Sequence, residues 1–240
     1  NPNEGRHIVE LACGSGGGGI GLTRHAKAKV VMAVDENQNH LDYYQLNSEP
    51  VKVLAYQLKE NRKSIEKIVK KIMQVLEKQG IEDYDLWYSG PCQPWSKANK
   101  GRNDPRKRDP RRRFPIIVAK VIEKLELFDS APKCVLTENV VGAADGPEFE
   151  ESRERLYELG YTSQQACINA MNVGLAMDRD RWFEVFYPED SEVSCYLRDV
   201  ARLLRLAPPT TIKDVLPERG VVYYMAAMSH WRHLFTKDMQ

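Results

Sequence analysis

The sequence predicts an α/β fold with a mostly parallel central sheet. Short apolar runs alternate with longer stretches of helical period, the pattern of strands joined by crossover helices. The first apolar run opens onto a run of glycines, and three of the runs end in chemically unusual residues. Functional groups of open α/β sheets gather at such carboxyl ends.

The elements follow in order. His7–Ala12 reads as the first strand, the turn Cys13–Gly19 follows it, and a helix begins near Ile20 and runs to Lys27. Val30–Val34 is a second strand that ends at Asp35 and Glu36. Lys59–Gln79 has a strong helical period, with Ile65, Ile68, Val69, Ile72, Met73 and Leu76 on one stripe. Its other face carries Lys63, Glu66, Lys67, Lys70, Lys71 and Lys78, which reads as a solvated surface, with a nucleic-acid or partner contact as the alternative. Asp85–Ser89 is a strand stopped by Gly90-Pro91, Ile116–Phe128 a helix, and Cys134–Thr137 a buried strand. Glu148–Leu159 is a helix with Gly160 just past its end. Ser163–Ile168 and Trp182–Tyr187 are two further strands, Glu192–Leu206 a helix, and Pro208-Pro209 a break.

With 240 residues the chain holds one sizeable domain, and 42% hydrophobic residues suit a soluble globular protein. No apolar run approaches the roughly 20 residues of a membrane span. The net charge of +1 does not announce nucleic acid. Five cysteines without a Cys-x-x-Cys pair argue against a zinc site or a disulfide framework, and for a reducing intracellular compartment. His230 and His233 lack a third ligand nearby, so no metal is expected.

Chemistry is expected at three strand ends. In Glu10-Leu-Ala-Cys-Gly14-Ser-Gly16-Gly17-Gly18-Gly19 the glycines allow a tight turn and close approach of a ligand. Asp35 stands about 20 residues on, where a ribose acceptor is expected, so a nucleoside-containing cofactor is predicted. No Lys-Ser/Thr pair follows the glycines, which excludes a phosphate-binding loop for a nucleoside triphosphate. In Ser89-Gly90-Pro91-Cys92-Gln93-Pro94-Trp95-Ser96 a cysteine is presented on a turn, whereas Cys13, Cys134 and Cys167 lie in apolar strands and read as buried. In Thr137-Glu138-Asn139-Val140 a carboxylate closes an apolar strand, where it either makes a structural ion pair or binds a substrate. A basic segment directly follows Cys92. Lys97, Lys100, Arg102, Arg106, Lys107, Arg108, Arg111, Arg112 and Arg113 face only Asp104 and Asp109, a composition suited to neutralising phosphates.

These residues, in this order, resemble the cytosine-C5 methyltransferase family from about Arg6 to Pro188. Gly-Pro-Cys-Gln-Pro-Trp-Ser and Glu-Asn-Val are specific together. Asn169-Ala-Met-Asn-Val-Gly174-Leu-Ala-Met-Asp-Arg179-Asp-Arg181 is similar to the arginine motif that precedes a strand in that family. The resemblance implies a Rossmann-like fold that uses S-adenosylmethionine to methylate C5 of a cytosine flipped out of duplex DNA. By the same resemblance Cys92 attacks C6 as a thiolate. Glu138 bonds the N3/N4 edge, Arg181 binds O2, and Arg179 supports the cysteine loop. Ala12, Gly14, Ser15, Gly16, Gly17, Asp35, Glu36 and Pro91 are the implied cofactor residues. Gln93, Ser96, Lys97, Lys100, Arg102, Arg106, Arg111, Arg112 and Arg113 are the implied nucleic-acid residues, on a loop that closes over the substrate.

Departures accompany the match. Ala12 replaces a phenylalanine that packs on adenine, Ala176 and Met177 replace Pro and Gln of the arginine motif, and Gln57 is the nearest candidate for the adenine contact. The family's recognition region and last motif are not visible. Residues 1–207 are therefore expected to form the cofactor-binding catalytic domain and 208–240 a transition toward a recognition region, supplied by a downstream segment or a partner chain. An RNA cytosine methyltransferase and a noncatalytic subunit of the same fold remain as alternatives. The compartment expected is the nucleus if the source is eukaryotic and the cytoplasm if it is bacterial.

Overall fold

The structure is a computed structural model that describes residues 5–48, 52–96, 109–190, 197–206 and 208–211. Seven strands form one sheet: β1 (His7–Leu11), β2 (Lys29–Asp35), β3 (Lys52–Ala55), β4 (Asp85–Tyr88), β5 (Cys134–Asn139), β6 (Tyr161–Asn169) and β7 (Asp180–Pro188). Their order across the sheet is β3-β2-β1-β4-β5-β7-β6. The first five run parallel, and β7 inserts antiparallel beside β5, with Asn139 opposite Trp182. The expected α/β class and mostly parallel sheet are what the chain adopts.

The helices are α1 (Gly17–Ala26), α2 (Gln38–Asn47), α3 (Arg62–Gln79), α4 (Phe114–Glu126), α5 (Pro147–Glu158) and α6 (Leu197–Leu206). On one face of the sheet α1 and α2 enclose a cluster of Ile8, Cys13, Ala28, Val30, Ala33, Leu41 and Tyr44. α4 packs between α3 and α5. It is apolar nearly all round, with Ile116, Val118, Val121, Ile122 and Leu125 buried, as a helix enclosed by neighbours must be. Each such side chain contributes about 2 kcal/mol through the area it removes from water. α3 buries Ile68, Val69, Ile72 and Leu76 and exposes Lys63, Glu66, Lys67 and Lys70, as its period predicts. Asn61 caps its first turn through Ser64 N (2.9 Å), and Gly80 ends it in a left-handed conformation (φ 64°).

Several boundaries differ from expectation. α1 starts at Gly17, three residues ahead of the predicted Ile20, so Gly17–Gly19 are helical rather than part of a turn. The reason is space. A Cβ on Gly19 would lie 2.0 Å from Tyr44 Oη, and one on Gly18 would lie 2.6 Å from Trp87 Nε1. α2 and β3 had no predicted counterpart. Cys13 sits on the turn after β1 and not in the strand, and Cys167 is only half-buried.

The chain divides into two compact units, Asn1–Ala166 with Trp182–Arg198 and Cys167–Arg181 with Asp199–Gln240. In the first unit a buried ion pair ties α5 to the sheet. Arg153 Nε donates to Glu184 Oε1 (2.8 Å) and Nη2 to Oε2 (3.3 Å), while Ser163 Oγ donates to the same carboxylate (2.8 Å). No helix among the described residues is long and apolar enough to cross a membrane.

Candidate active site at the carboxyl ends of the central strands

The glycine turn leaves β1 at Ala12 and reaches Gly16, the N-cap of α1, with φ 89°. Only glycine fits there, both for that angle and because a Cβ would meet the Tyr44 ring at 2.3 Å. In front of Gly14 and Gly17 the space is open, since a Cβ on either would meet nothing within 4 Å. Ser15 and Gly17 are exposed. The turn therefore presents bare backbone and a helix N-terminus to open space, a cradle suited to a polar ligand.

Asp35 fastens this turn to the end of β2. Its Oδ2 accepts from Gly14 N (2.9 Å), and its Oδ1 accepts from Asn37 N (2.9 Å) and lies 3.2 Å from His40 Nδ1. Each carboxylate oxygen has two acceptor sites, so Oδ2 keeps one for a ligand hydroxyl. The neighbouring Glu36 is exposed and accepts from Gln57 Nε2 (2.8 Å), which ties the end of β2 to the segment that follows β3.

Beneath the turn lies a carboxyl that sequence reasoning quoted but gave no role. Glu10 is 1% exposed, and accepts from Tyr44 Oη (2.9 Å) and Gly19 N (3.2 Å). Burial pushes its pKa up from 4.5 to about 7, against the opposing pull of the two hydrogen bonds. The folded state therefore binds this proton more tightly than the unfolded chain. Stability from this group is greatest below pH 4.5, falls as pH rises toward 7, and is level above that. At about 1.4 kcal/mol per pKa unit the difference is roughly 3 kcal/mol. Glu10→Gln is expected to flatten that slope. Urea midpoints at pH 5 and pH 8 check it, and a variant whose midpoints fall as steeply as the wild type's would exclude the assignment.

The thiol enters from β4. Tyr88 pairs with Thr137 in the parallel register, which sets Ser89 beside Glu138 and Gly90 beside Asn139. Ser89 Oγ donates to Glu138 Oε2 (2.9 Å), and Asn139 Nδ2 donates to Gly90 O (3.3 Å). Asn139 is 1% exposed, so this second tie is held inside the protein. Past it the chain turns at Pro91-Cys92, and Trp95 N and Ser96 N both donate to Cys92 O (3.1 Å each). Cys92 and Glu138 are each half-buried, at the ends of adjacent strands. Gln93 is exposed, and Pro91 and Ser96 are half-buried.

The arginine triplet is held by carboxylates. Arg111 donates to both oxygens of Asp109 (2.6–3.1 Å). That pairing raises its pKa. Arg112 binds Glu148 with Nε (2.8 Å) and Nη2 (3.1 Å) and is only 14% exposed. Arg113 binds Glu60 (2.6 and 2.7 Å) and Glu151 (3.3 Å). Of the three, Arg111 is the most exposed, at 50%, and Arg112 is not available to a phosphate in this arrangement. Lys97, Lys100, Arg102 and Arg106 lie outside the described residues.

Arg179 and Arg181 belong to the second unit, Arg179 on the arm between β6 and β7 and Arg181 at the start of β7. Asn169 organises this arm. Its Nδ2 donates to Asp178 Oδ1 (2.7 Å) and Asp180 Oδ1 (2.8 Å), and Ala170 N donates to Arg179 O (3.0 Å). Arg179 is exposed, and Arg181 is half-buried with Nη1 donating to Asp180 O (2.8 Å).

Comparison with known proteins follows the same lines. The family model for C-5 cytosine-specific DNA methylase matches residues 6–240. Type II methyltransferase M1.BsuMI of Bacillus subtilis (strain 168) is 31% identical over 195 residues, 75% of this chain and 42% of that protein. Type II methyltransferase M.MthTI of Methanothermobacter thermautotrophicus is 35% identical over 130 residues, 52% of this chain and 36% of that protein. The chain thus spans less than half the length of these relatives. Among solved structures, a putative DNA modification methyltransferase encoded within a prophage (E. coli) superposes with a TM-score of 0.64 at 17% identity, covering 89% of this chain and 56% of the other. The S. pombe Dnmt2 methyltransferase gives 0.61 at 19%, covering 84% and 55%. At such identities the likeness is one of fold.

Proposed function

Because the chain belongs to the C-5 cytosine-specific DNA methylase family, we propose that it carries the catalytic and cofactor-binding part of an enzyme that methylates C5 of cytosine in DNA. One observation supports this most. The ties Ser89–Glu138 and Gly90–Asn139 set a cysteine on a turn and a carboxyl at the ends of neighbouring strands, next to an open glycine cradle.

The residues fit S-adenosylmethionine. Gly14, Ser15, Gly16 and Gly17 offer backbone to its methionine part, and Asp35 keeps an acceptor site for a ribose hydroxyl. Ala12, Glu36 and Pro91 follow the ends of β1, β2 and β4 at the same carboxyl edge of the sheet. When bound, the cofactor supplies the methyl group. Cys92, as thiolate, adds to C6 of a flipped-out cytosine, and the electron pair moves to C5. Glu138, steadied by Ser89, bonds the N3/N4 edge and favours protonation at N3, which makes the ring accept the sulfur. The family resemblance assigns Arg181 to O2 and Arg179 to support of the cysteine loop. After C5 is methylated its proton leaves, the C6–S bond breaks, and Cys92 is restored. Arg111, Gln93 and Ser96 with Lys97, Lys100, Arg102 and Arg106 serve the phosphates and bases around the target.

Sequence selectivity needs contacts to base edges, and basic loops supply mostly phosphate contacts. These contacts are assigned to a further segment or a partner chain. Residues 1–240 alone are expected to methylate random-sequence duplexes slowly and without sequence preference, read by bisulfite sequencing. Adding that segment or partner should confine methylation to one site. Efficient methylation of one defined sequence by the chain alone would exclude the division. The test of the reaction itself is capture of a duplex carrying 5-fluorocytosine, since fluorine at C5 blocks the final elimination. A denaturation-resistant protein–DNA adduct that forms only with S-adenosylmethionine present is the expected result.

A further inference from the structure

Arg112 stands 20 residues beyond Cys92 in sequence, yet its side chain returns to the Cys92 turn. Its guanidinium makes three kinds of contact at once. Nε and Nη2 form a forked pair with Glu148 (2.8 and 3.1 Å), Nη1 donates to Pro94 O (3.2 Å), and the plane lies 5.3 Å from the Trp95 ring centroid. Both members of the ion pair are nearly buried, with side chains 14% and 7% exposed. A planar fork can hold a carboxylate, a carbonyl and an aromatic face together, which an ammonium cannot.

What Arg112 grips is itself fixed. Trp95 is 3% exposed and packs on Phe149 (5.2 Å), which meets Trp182 edge-on (5.0 Å). Gly142 and Gly146 admit it closely, since a Cβ on either would come within 2.9 Å of Trp95. Trp95 N and Ser96 N in turn close the turn on Cys92 O. The Cys92 turn is thus gripped on both sides, by Asn139 at Gly90 and by Arg112 at Pro94 and Trp95.

We propose that Arg112, oriented by Glu148, is a positioning residue that holds the Pro94-Trp95 limb of the turn and so fixes where Cys92 is presented. The role rests on the reading of Cys92 as nucleophile. It differs from the phosphate contact that the charge run suggested, because the guanidinium faces inward.

The test uses the full chain and the variants Arg112→Met, Arg112→Lys and Glu148→Gln. Deuterium exchange of the peptide spanning residues 89–96 is compared with peptides from β1 and β5. Adduct formation with a 5-fluorocytosine duplex is followed in parallel, with Cys92→Ala as the control for the nucleophile. Arg112→Met is expected to speed exchange at Trp95 and Ser96 about tenfold or more while β1 and β5 exchange as in the wild type, the mark of a local opening. It should also slow adduct formation at saturating duplex by about tenfold or more. Arg112→Lys should recover thermal stability but neither the protection nor the rate, because the charge pair returns without the fork. Glu148→Gln should show the same local loss in milder form. Equal exchange in Arg112→Met and wild type, or acceleration spread evenly over the core strands, overturns the proposal. So does a variant adduct rate equal to the wild type's. If the wild type forms no adduct at all, the nucleophile reading fails, and the exchange measurement still decides whether Arg112 holds the turn.

Discussion

Cys92→Ala is expected to abolish covalent capture of a 5-fluorocytosine duplex and to lower methyl transfer by about 10⁴-fold or more, the scale on which removing a nucleophile acts. The size follows from the chemistry. Without a sulfur to add at C6, C5 of cytosine is not electron-rich enough to be methylated. In the proposed reaction Glu138 activates the ring but forms no bond to carbon. The fold should survive. Cys92 is half-buried on a turn whose contacts are made by its carbonyl, which alanine keeps. The side chain's own loss costs under about 1 kcal/mol at such a site. Cys92→Ser is expected to fail equally, because a hydroxyl is not ionised near neutral pH. Denaturing gels of the adduct and transfer of labelled methyl groups provide the measurement, with urea melts to confirm folding. An adduct that persists in Cys92→Ala would sink the assignment.

The second large effect is on stability. Glu184→Ala should cost about 3 kcal/mol, since it leaves the buried Arg153 guanidinium with only the exposed Glu150 and the Ala144 carbonyl as partners. Arg153 is 7% exposed and Glu184 1%, so water reaches neither. Ser163 loses its acceptor as well. Domains of this kind are stable by only about 5–15 kcal/mol, so the variant should melt far earlier. The double variant Arg153→Met with Glu184→Leu should recover most of the loss, because the charge is removed along with its partner. A cycle of urea denaturation curves decides between the possibilities. Additive losses in the double variant would show that the two side chains act independently and that the pair is not the cause.

Much of this was legible in the residues. Alternating apolar runs and glycine-rich ends placed β1, β2, β4, β5 and the long helix α3 within a few positions, because these elements are buried and their periodicity is strong. α2 was not read. It buries only Leu41 and Tyr44, and its other residues face water, so no stripe stands out. β3 is four half-exposed residues at the sheet edge, too short to signal itself. The two strands after α5 were expected, but not that β7 would insert between β5 and β6, since nothing local encodes which partner a strand finds.

At the candidate site, Cys92, Glu138 and Asp35 stand out in the sequence because each interrupts an apolar context with chemistry. The glycine run misled in one respect. Gly18 and Gly19 make room for Trp87 and Tyr44 rather than for a ligand. Asn139 was noticed only as part of a motif, although it is the residue that anchors the Gly90 backbone. The pairing of Arg112 with Glu148 joins residues 36 apart, and no sequence period marks it. In a run of nine cations an inward-facing one looks like the rest. The only local signal was Asp109-Pro110, a capping turn that starts a helical segment and rotates consecutive arginines to different sides.

The Arg112 contact to Pro94 has a consequence for the coupling of distant positions to the site. It gives the turn that carries Cys92 a second anchor, on the segment entering α4, beside the anchor that Asn139 supplies from β5. A turn tied to two elements of one core opens only when one of those ties is broken. The placement of the sulfur is therefore coupled to the packing of α4, and a change inside that buried helix is felt at the thiol without touching it.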